Sequence, residues 1–449
     1  MAIYTQNVIL LGDMILDHTI QGSSTKLANE APIPVIHSTT EKYTLGGCGN
    51  VLNNLVALAS NVFVFSRIGA DYHEHFTQIM PVCNNYIIID PDYKTIVKHR
   101  IYSDHKLMCR YDEEIYKIVS KDEEDSILST IATIIKTFPI QSVIFSDYNK
   151  GFLTESLCQR VISLCNKYNI CSVVDPKENY RKYINCTIIK PNLHELKNIF
   201  NIEYNKIEPI HAHKELHKLI GCTLSIITLS KDGISAYTHN RLYSYHEEVK
   251  EVIDVTGAGD IVCSLIGVYH KLDTQLLLQY ASFFASLSIS HIGAYTITAE
   301  DMNRLFLNYS LSKQVSTCNK IVFTNGCFDI LHTGHIELFA FCRSLGSTII
   351  VGLNSDASIR RLKGDMRPIH CLEDRTKMLQ AIKYIDYIIP FDEDTPLNLI
   401  KQISPDILVK GGDYTEDTVI GKEYVKQVVL FNYIKGKSTT NIIKHCKSL

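Results

Sequence analysis

The chain has 449 residues and carries 45 Lys and Arg residues against 48 Asp and Glu residues, a formal net charge of −3. Hydrophobic residues make up 45% of it and charged residues 21%, a globular composition that excludes disorder over most of the length. At roughly 150 residues per domain, about three domains are expected, and fewer if they are α/β domains. A charge this near zero supplies no basic field for a phosphate backbone, so we expect no nucleic-acid partner.

The cysteines and the apolar runs indicate the compartment. No two of the 14 cysteines form a Cys-x-x-Cys pair, which argues against zinc ribbons and thioredoxin chemistry. The start, MAIYTQNVILLGD, lacks the basic region of a signal peptide, and no apolar run approaches the roughly 20 residues that span a bilayer. We therefore expect a cytoplasmic protein with reduced cysteines and no membrane partner.

The first 300 residues alternate short β-rich runs with helical stretches. Apolar, β-branched runs predict buried strands at residues 7–12, 62–66, 142–146, 171–175, 187–190 and 224–228. Helical periodicity predicts helices at residues 123–136, 154–168 and 210–219. This alternation predicts an α/β fold with a mostly parallel sheet, in which ligands bind at the carboxyl ends of the strands. Half-polar runs at 95–103 and 107–112, joined by Asp104 and His105, predict a hairpin or small lid sheet.

The strand–helix pattern stops near residue 299 and restarts at residue 320. Strands are predicted at residues 321–324, 347–352, 387–389 and 407–409, and a helix is predicted from Thr333. About 130 residues suffice for one compact α/β domain. The sequence thus predicts a first domain over residues 1–305, a linker over 306–318 and a second, Rossmann-like domain over 319–449.

The most informative motif of the first domain is DVTGAGD at residues 254–260. Gly257 and Gly259 permit a tight turn in which the amides from Gly257 through Ala258 to Gly259 point one way, at the start of the apolar helix that follows. Such a turn holds the charge of a transferring phosphoryl group, and Asp260 can accept the proton of an attacking hydroxyl. The alternative is an ordinary glycine-rich loop with an Asp at the helix cap.

DVTGAGD resembles the C-terminal signature of the ribokinase/fructokinase-type sugar kinases, and other segments agree with that family in chain order. The matching positions are Asp13 and Asp17 (sugar-binding acids), Gly46, Gly47 and Asn50 (Gly-Gly/Asn signature, sugar-binding), Asn192, Leu193, His194 and Glu195 (segment near ATP and magnesium), and Thr228, Ser230, Lys231 and Gly233 (nucleotide-site turn). His194 replaces the small Ser expected in the family. The resemblance implies a ribokinase-like fold with a lid, ATP as co-substrate, Mg²⁺, and a homo-oligomer, most simply a dimer through the kinase domain.

Four cations are candidates for binding a second phosphate on the sugar. Lys98 and Arg100 share one face of a predicted strand, Arg110 lies on its hairpin partner, and Lys177 follows another strand. Each could equally be a solvated charge that protects a strand edge. Together with residues 30–35 (EAPIPV) and 146–151 (SDYNKG), they resemble the subgroup of kinases that act on heptose 7-phosphate.

The most informative motif of the second domain is TNGCFDILHTGH at residues 324–335. A strand ends in a glycine-containing turn, and H-x-G-H then opens a helix. His332 and His335, three residues apart, can face one point at the helix N-terminus and donate to the α-phosphate of a nucleotide. Metal ligation and simple helix capping are the alternatives, although no Cys or third His lies at zinc spacing.

This motif resembles the H-x-G-H nucleotidyltransferases of the cytidylyltransferase type. The resemblance implies Lys363 as a catalytic contact to the triphosphate, and it implies nucleotide contacts at Thr324, Asn325, Gly326, Phe328, Asp356, Arg367, Ser438, Thr439 and Thr440. Arg375 fits an ordinary helix-surface salt bridge equally well. The order of segments NGCFDILHTGH, NSDAS, RLKGD, PDILVKGGDY and STTNII resembles the adenylyltransferase half of bifunctional enzymes of ADP-heptose synthesis.

The two resemblances imply one bifunctional enzyme that uses heptose phosphates and ATP. Its kinase half is expected to phosphorylate heptose 7-phosphate at O1, and its second half to join heptose 1-phosphate to the adenylyl group of ATP. Magnesium is expected as the counter-ion of the triphosphate, without a dedicated metal site. Three alternatives stay open: another sugar or polyol phosphate with CTP, a pantetheine-phosphate or flavin adenylyltransferase as second domain, and a non-catalytic nucleotide-binding scaffold.

Overall fold

The computed structural model describes residues 6–58, 60–104, 106–247, 252–291, 293–298, 300–302, 305, 320–346, 348–411 and 418–431. The chain divides into two compact units between residues 298 and 299. The predicted linker, 306–318, lies outside the described residues.

The N-terminal unit consists of strands and helices that mostly alternate. Its strands are β1 (Asn7–Gly12), β2 (Met14–Leu27), β3 (Pro34–Gly47), β4 (Asn61–Gly69), β5 (Asn84–Asp90), β6 (Val97–Ser103), β7 (Lys106–Glu113), β8 (Ile140–Ser146), β9 (Cys171–Asp175), β10 (Ile188–Ile189), β11 (Leu224–Thr228), β12 (Ile234–Thr238) and β13 (Arg241–Tyr245). Its helices are α1 (Cys48–Ala57), α2 (His73–Ile79), α3 (Lys121–Thr137), α4 (Glu155–Tyr168), α5 (Leu193–Phe200), α6 (Pro209–Ile220), α7 (Ala258–Tyr269) and α8 (Thr274–Ser288).

The larger sheet of this unit confirms the α/β prediction. Its described strands follow the order β13-β12-β11-β10-β9-β8-β1-β4-β5, parallel from β11 to β5 and antiparallel at the β12–β13 edge. Helices pack on this sheet through apolar faces. On α3, for example, Ile127, Ile131 and Ile134 recur at helical spacing and are buried. The same helix begins with a capping box between Ser120 and Glu123, which explains its sharp start.

A second, four-stranded sheet has the order β3-β2-β6-β7. We call these four strands the lid sheet. The predicted hairpin is confirmed as β6 and β7, which pair antiparallel. The 14-residue strands β2 and β3 are absent from the sequence prediction, because β3 is exposed along its middle and so lacks a buried apolar alternation.

The second unit is a doubly wound α/β structure. Its strands are β14 (Ile321–Gly326), β15 (Thr348–Asn354), β16 (Tyr387–Phe391), β17 (Ile407–Gly411) and β18 (Gln427–Phe431), and its helices are α9 (Thr333–Leu345), α10 (Asp356–Lys363), α11 (Leu372–Gln380) and α12 (Leu397–Ile403). The strands are all parallel, in the order β16-β15-β14-β17-β18. Alternate strand residues fill two separate cores, for example Val322 on the side of α9 and Phe323 on the side of α12. The fold of this unit agrees with the prediction, apart from the unpredicted strand β18.

Candidate active sites

Asp260 lies in the first turn of α7, and only 4% of its surface is exposed. Asn50 Nδ2 donates to its Oδ2 at 2.9 Å, and the Tyr148 hydroxyl donates to its Oδ1 at 2.6 Å. Burial raises the pKa of Asp260 to about 6, although both hydrogen bonds lower it. A buried carboxylate that ionises near neutrality at a helix N-terminus is suited to act as a general base.

The turn before Asp260 has the predicted conformation. Gly257 has φ 80°, and a Cβ atom there would lie 2.6 Å from Nδ2 of Asn50. Glycine is therefore needed at this position both for the left-handed backbone and for the close approach of α1. Ala258 and Gly259 then open the helix, so that their amides point out of its N-terminus.

Asp13 is buried behind this site and is engaged by the loop that follows β8. Its carboxylate accepts the backbone amides of Tyr148 at 2.9 Å, Lys150 at 3.2 Å and Phe152 at 3.3 Å. Asp13 thus holds the loop that carries Tyr148, and its contact to the sugar stays a prediction.

Asp17 lies on the face of the lid sheet that also carries Arg100. Nη1 of Arg100 donates to Oδ1 of Asp17 at 2.5 Å, and both side chains are buried. A Cβ atom on Gly46, which lies on the neighbouring strand, would be 2.1 Å from Oδ2 of Asp17. Gly47 has φ 55° and leads directly into α1, which carries Asn50. Gly46 thus leaves room for the carboxylate of Asp17, and Gly47 provides the left-handed turn between β3 and α1.

Three of the four predicted sugar-phosphate cations lie together. Arg100 and Arg110 are direct partners across β6 and β7, and Lys98 is the register partner of Asp17 across β2 and β6. Arg110 forms two hydrogen bonds to Asp112, at 2.9 and 2.6 Å. Like charges placed directly opposite each other are destabilising without an anion, and burial lowers the pKa of Lys98. Asp17 and Asp112 pair with Arg100 and Arg110, and the carboxylates of Asp254 and Glu114 also interact with these two arginines.

Lys177, the fourth predicted cation, lies elsewhere. Its Nζ is 3.7 Å from Oε1 of Glu195, a residue of the predicted nucleotide segment. No described contact joins it to the lid cations. Its assignment to the sugar phosphate stays a prediction.

The predicted ATP segment begins α5 with a capping box. Asn192 Oδ1 accepts the amide of Glu195, and Glu195 Oε2 accepts the amide of Asn192, both at 2.9 Å. Leu193 packs against the core, whereas His194 is exposed and contacts Asn198 at 2.8 Å. The surface position of His194 explains why a larger side chain is tolerated where the family pattern has a small one.

Buried charges surround Glu195. Lys190, at the end of β10, pairs with Asp175 at 2.8 Å. Burial and the neighbouring Asp175 raise the pKa of Glu195, and burial likewise raises the pKa of Asp175. Two carboxylates thus lie next to two lysines in this part of the site.

The predicted nucleotide-site turn joins β11 to β12. Thr228 pairs with Asn192 at the carboxyl ends of neighbouring strands, which brings the turn next to the ATP segment. Ser230 and Lys231 form a short 3₁₀ turn, and Lys231 O is 2.8 Å from Nε2 of His246. Gly233 has φ 89°, and a Cβ there would clash with the backbone of β13.

In the second unit, the H-x-G-H motif begins α9 as predicted. The rings of His332 and His335 stack with centroids 3.8 Å apart, and the ring of Phe328 meets His335 edge-on. Burial, and then the neighbouring His332, lowers the pKa of His335 to about 4. The His332 amide donates to Nδ1 of His335 at 3.4 Å, so the proton of the neutral ring is left on Nε2, which can donate to a phosphate oxygen.

The carboxyl ends of β14 and β17 meet beside this motif. Thr324 is buried, and Nζ of Lys410 donates to Oδ1 of Asn325. A Cβ on Gly326 would come within 3.1 Å of the Phe328 ring. Burial lowers the pKa of Lys410 to about 8. Lys410 belongs to the segment PDILVKGGDY, for which the sequence predicts no individual role, and its contact with Asn325 places it among the polar groups of this site.

The remaining predicted nucleotide contacts fall into three groups. Lys363 is exposed at the end of α10, where it is accessible to a ligand. Arg367 is held by Asp329, which accepts its Nε at 2.5 Å. The predicted contacts Ser438, Thr439 and Thr440 lie outside the described residues.

Arg375 differs most from its sequence interpretation. It is fully buried, with 0% of its surface exposed, so it is not a helix-surface salt bridge. Its guanidinium donates to the carbonyls of Cys327, Asn354 and His370 at 2.8, 2.9 and 3.0 Å, and to the carboxylate of Asp356 at 2.6 Å. It thus ties together the three segments that carry the H-x-G-H loop, Asp356 and Arg367. No local signal in the sequence reveals this, because the four partners lie on three segments, two of which are distant from Arg375 along the chain.

Among the described residues, no group of three or more His, Cys, Asp or Glu side chains is arranged to hold a metal ion. No helix among them has the length and hydropathy needed to cross a membrane.

Sequence models of two families match the chain. The pfkB family of carbohydrate kinases matches residues 5–301, and the cytidylyltransferase-like family matches residues 323–448. The chain is 39% identical to the bifunctional protein HldE of Campylobacter concisus, over 98% of this chain and 97% of the relative. It is 36% identical to the proteins of the same name from Sulfurimonas denitrificans, over 99% and 98%, and Helicobacter pylori, over 98% and 99%.

Solved structures show the same fold for the first unit. Phosphofructokinase-2 from Escherichia coli, in complex with potassium, matches with a TM-score of 0.56 and 14% identity, covering 68% of this chain and 100% of that one. Arabidopsis thaliana ribokinase, complexed with ribose and ATP, matches with a TM-score of 0.52 and 16% identity, covering 67% and 99%. The predicted ribokinase-like kinase fused to a nucleotidyltransferase is therefore confirmed, and the chain belongs to the HldE family of bifunctional proteins.

Proposed function

We propose that the first unit transfers the γ-phosphoryl group of ATP to O1 of D-glycero-β-D-manno-heptose 7-phosphate. In this proposal, the second unit transfers the adenylyl group of ATP to heptose 1-phosphate, giving ADP-heptose and pyrophosphate. Membership of the bifunctional family supports the pair of reactions. The observation that carries the kinase assignment is the buried carboxylate of Asp260 at the N-terminus of α7, with a pKa near neutrality.

In the kinase reaction, Asp260 accepts the proton of the anomeric hydroxyl while O1 attacks the γ-phosphorus. The bond between the γ-phosphorus and the bridging oxygen breaks, and ADP leaves with that oxygen. The amides from Gly257 to Gly259 lie at the N-terminus of α7, where they can stabilise the charge on the transferring group; the amide of Ala258 would then exchange its long, 3.5 Å hydrogen bond to the carbonyl of Val255 for one to the phosphate.

The lid sheet supports a substrate that already carries a phosphate. Arg100 and Arg110 face each other across two strands, and Lys98 extends the same face. Guanidinium groups bind phosphate oxygens in pairs, so these side chains could bind a 7-phosphate in exchange for their present carboxylate partners.

Magnesium is supported by the charges near the ATP segment. Mg²⁺ in kinases is commonly held by the substrate phosphates and one or two carboxylates. Glu195 and Asp175 fit this requirement, because they are two carboxylates that lie beside Lys190 at the carboxyl ends of neighbouring strands. Bound there, the ion would neutralise the triphosphate.

In the second reaction, a phosphate oxygen of heptose 1-phosphate attacks the α-phosphorus of ATP and pyrophosphate leaves. No general base is required, because the attacking phosphate is already ionised. His335 is a neutral donor through Nε2, and Lys363, Arg367 and the predicted segment 438–440 would bind the triphosphate. A separate phosphatase must remove the 7-phosphate between the two reactions, since the kinase product carries two phosphates.

Mass spectrometry of two reactions tests the proposal. One contains heptose 7-phosphate, ATP and magnesium, and the other contains heptose 1-phosphate with the same additions. We expect a bisphosphate in the first and ADP-heptose in the second. A third reaction, in which CTP replaces ATP, tests the alternative that the cytidylyltransferase-like match suggests. If neither sugar reacts although ATP binds, the heptose assignment is wrong.

The homodimer through the kinase unit and the cytoplasmic location stay predictions. Light scattering of the purified protein at several concentrations would test the first, and fractionation of cells would test the second.

A further inference from the structure

Tyr148 contacts two groups that the proposed kinase reaction uses. Its hydroxyl donates to Oδ1 of Asp260 at 2.6 Å, and its ring centroid lies 5.2 Å from Nζ of Lys98. The ring therefore lies between the proposed base and a cation proposed to bind the 7-phosphate. Nothing in the reaction as described above assigns Tyr148 a role.

The fold itself determines where this side chain lies. Tyr148 follows β8 at the carboxyl edge of the sheet, and its amide donates to Oδ2 of Asp13. The same carboxylate also accepts the amides of Lys150 and Phe152, so the loop is fixed on both sides of Tyr148. Because Asp13 fixes the backbone of Tyr148, the position of the phenol does not depend on its contact with Asp260.

The charges require Tyr148 to act as a donor. Burial, and then the charge of Asp260, raise the pKa of Tyr148 well above its ordinary value, so the phenol keeps its proton. A hydrogen bond donated to a carboxylate favours its ionised form, and this opposes the effect of burial on Asp260. Asn50 provides the second such bond, on Oδ2.

We propose that Tyr148 is a positioning residue of the kinase reaction, whose hydroxyl keeps the Asp260 carboxylate ionised and oriented and whose ring supports Lys98. This inference rests on the proposed function. Each carboxylate oxygen can accept a second hydrogen bond, so the sugar O1 hydroxyl binds without displacing the phenol. The proton of O1 passes to Asp260, and Tyr148 keeps its own proton throughout.

The test is the pH profile of kcat/KM for phosphorylation of heptose 7-phosphate by Tyr148→Phe. This variant retains the ring beside Lys98 and removes only the hydroxyl. We expect the acidic limb to move to higher pH by about one unit, which lowers kcat/KM about five-fold at pH 6 and about two-fold at pH 7. The two profiles should converge near pH 9, and the KM for the sugar phosphate should change little.

A second variant and a control separate the two parts of the side chain from general destabilisation. Tyr148→Leu also removes the ring, so we expect it to show the same pH shift and in addition a raised KM for heptose 7-phosphate. Tyr183→Phe removes another buried phenol, which donates to Asp147 at 2.7 Å and not to Asp260. We expect no shift of the acidic limb for this control.

An acidic limb in Tyr148→Phe that coincides with that of the wild type would overturn the inference. So would a raised KM without any pH shift, because that result describes a substrate contact instead of an effect on Asp260. If the unsubstituted protein does not phosphorylate heptose 7-phosphate at all, the proposed function itself fails, and this outcome is seen before any variant is measured. Adenylyl transfer by the same molecules provides the reference for active-protein concentration.

Discussion

Replacing Arg375 by Met should destabilise the second unit and leave the first unaffected. Methionine replaces the aliphatic part of the side chain but is shorter and cannot donate, so three backbone carbonyls and the Asp356 carboxylate lose their partner in a site where Arg375 is fully buried. A lost hydrogen bond to a neutral carbonyl costs about 1 kcal/mol, and one to a carboxylate about 1.5–3 kcal/mol. Asp356 is partly exposed and can be hydrated in the variant, so we count less than the full cost of its lost hydrogen bond.

The expected cost is therefore about 3–5 kcal/mol, the range observed when a buried ion pair loses one member. Since a domain is stable by only about 5–15 kcal/mol, this is a large fraction of the total. For a unit of this size, it corresponds to a fall of roughly 10 °C or more in the midpoint of thermal unfolding. Arg375→Lys should restore little of the lost stability, because one ammonium group cannot reach the four separate acceptors that the planar guanidinium contacts.

The assay is residual activity after brief heating, measured for both reactions on the same sample. Adenylyl transfer should be lost at a lower temperature in Arg375→Met than in the wild type, whereas kinase activity should be lost at the same temperature in both. Arg361→Met is the matched control, because Arg361 pairs with Asp394 on the surface and should matter little. Equal inactivation temperatures for adenylyl transfer in Arg375→Met and the wild type would refute the reasoning.

Further predictions concern the two sites separately. Asp260→Asn should lower bisphosphate formation by 100-fold or more, roughly the contribution of a general base, and leave adenylyl transfer intact; loss of both activities in a folded variant would contradict separate sites. His335→Ala should do the reverse, lowering adenylyl transfer by about 100-fold or more through the loss of a transition-state donor, as product analysis would show. Gly46→Ala places a Cβ 2.1 Å from Oδ2 of Asp17 and should raise the KM for the sugar with little change in the KM for ATP. Because burial raises the pKa of Asp260 to about 6, kinase activity should fall as pH drops through 6, where the base becomes protonated; a profile that is flat from pH 5 to 8 would contradict this.

Local signals in the sequence were sufficient for the catalytic motifs and most of the central strands. The turn at Gly257 and the pair His332 and His335 lie at the predicted helix starts, because glycine conformation and helix capping depend on near neighbours in the chain. Buried parallel strands are apolar throughout, so β1, β9 and β11 were predicted with their observed bounds. The long strands β2 and β3 lack such a signal, since much of their length is exposed.

Contacts between distant segments account for what the sequence analysis missed. Asn50 and Asp260 are 210 positions apart and Tyr148 and Asp260 are 112 apart, yet both contacts act on one carboxylate. The local sequence likewise does not reveal whether a charged side chain forms a surface ion pair or is buried among several acceptors, as Arg375 shows. Such properties depend on burial, and burial is decided only when the strands and helices pack.

The sequence alone thus predicted the α/β architecture and the family correctly, and it located the two motifs that we propose to be catalytic. These depend on residue type and short spacing, which are properties of neighbouring residues. The tertiary structure decided that Asp13 holds a loop, that Lys177 lies near Glu195, and that the hydroxyl of Tyr148 donates to Asp260. The physical reason is that hydrogen bonding and desolvation act through space, and so the protonation of Asp260 is determined by residues that the chain order keeps far apart.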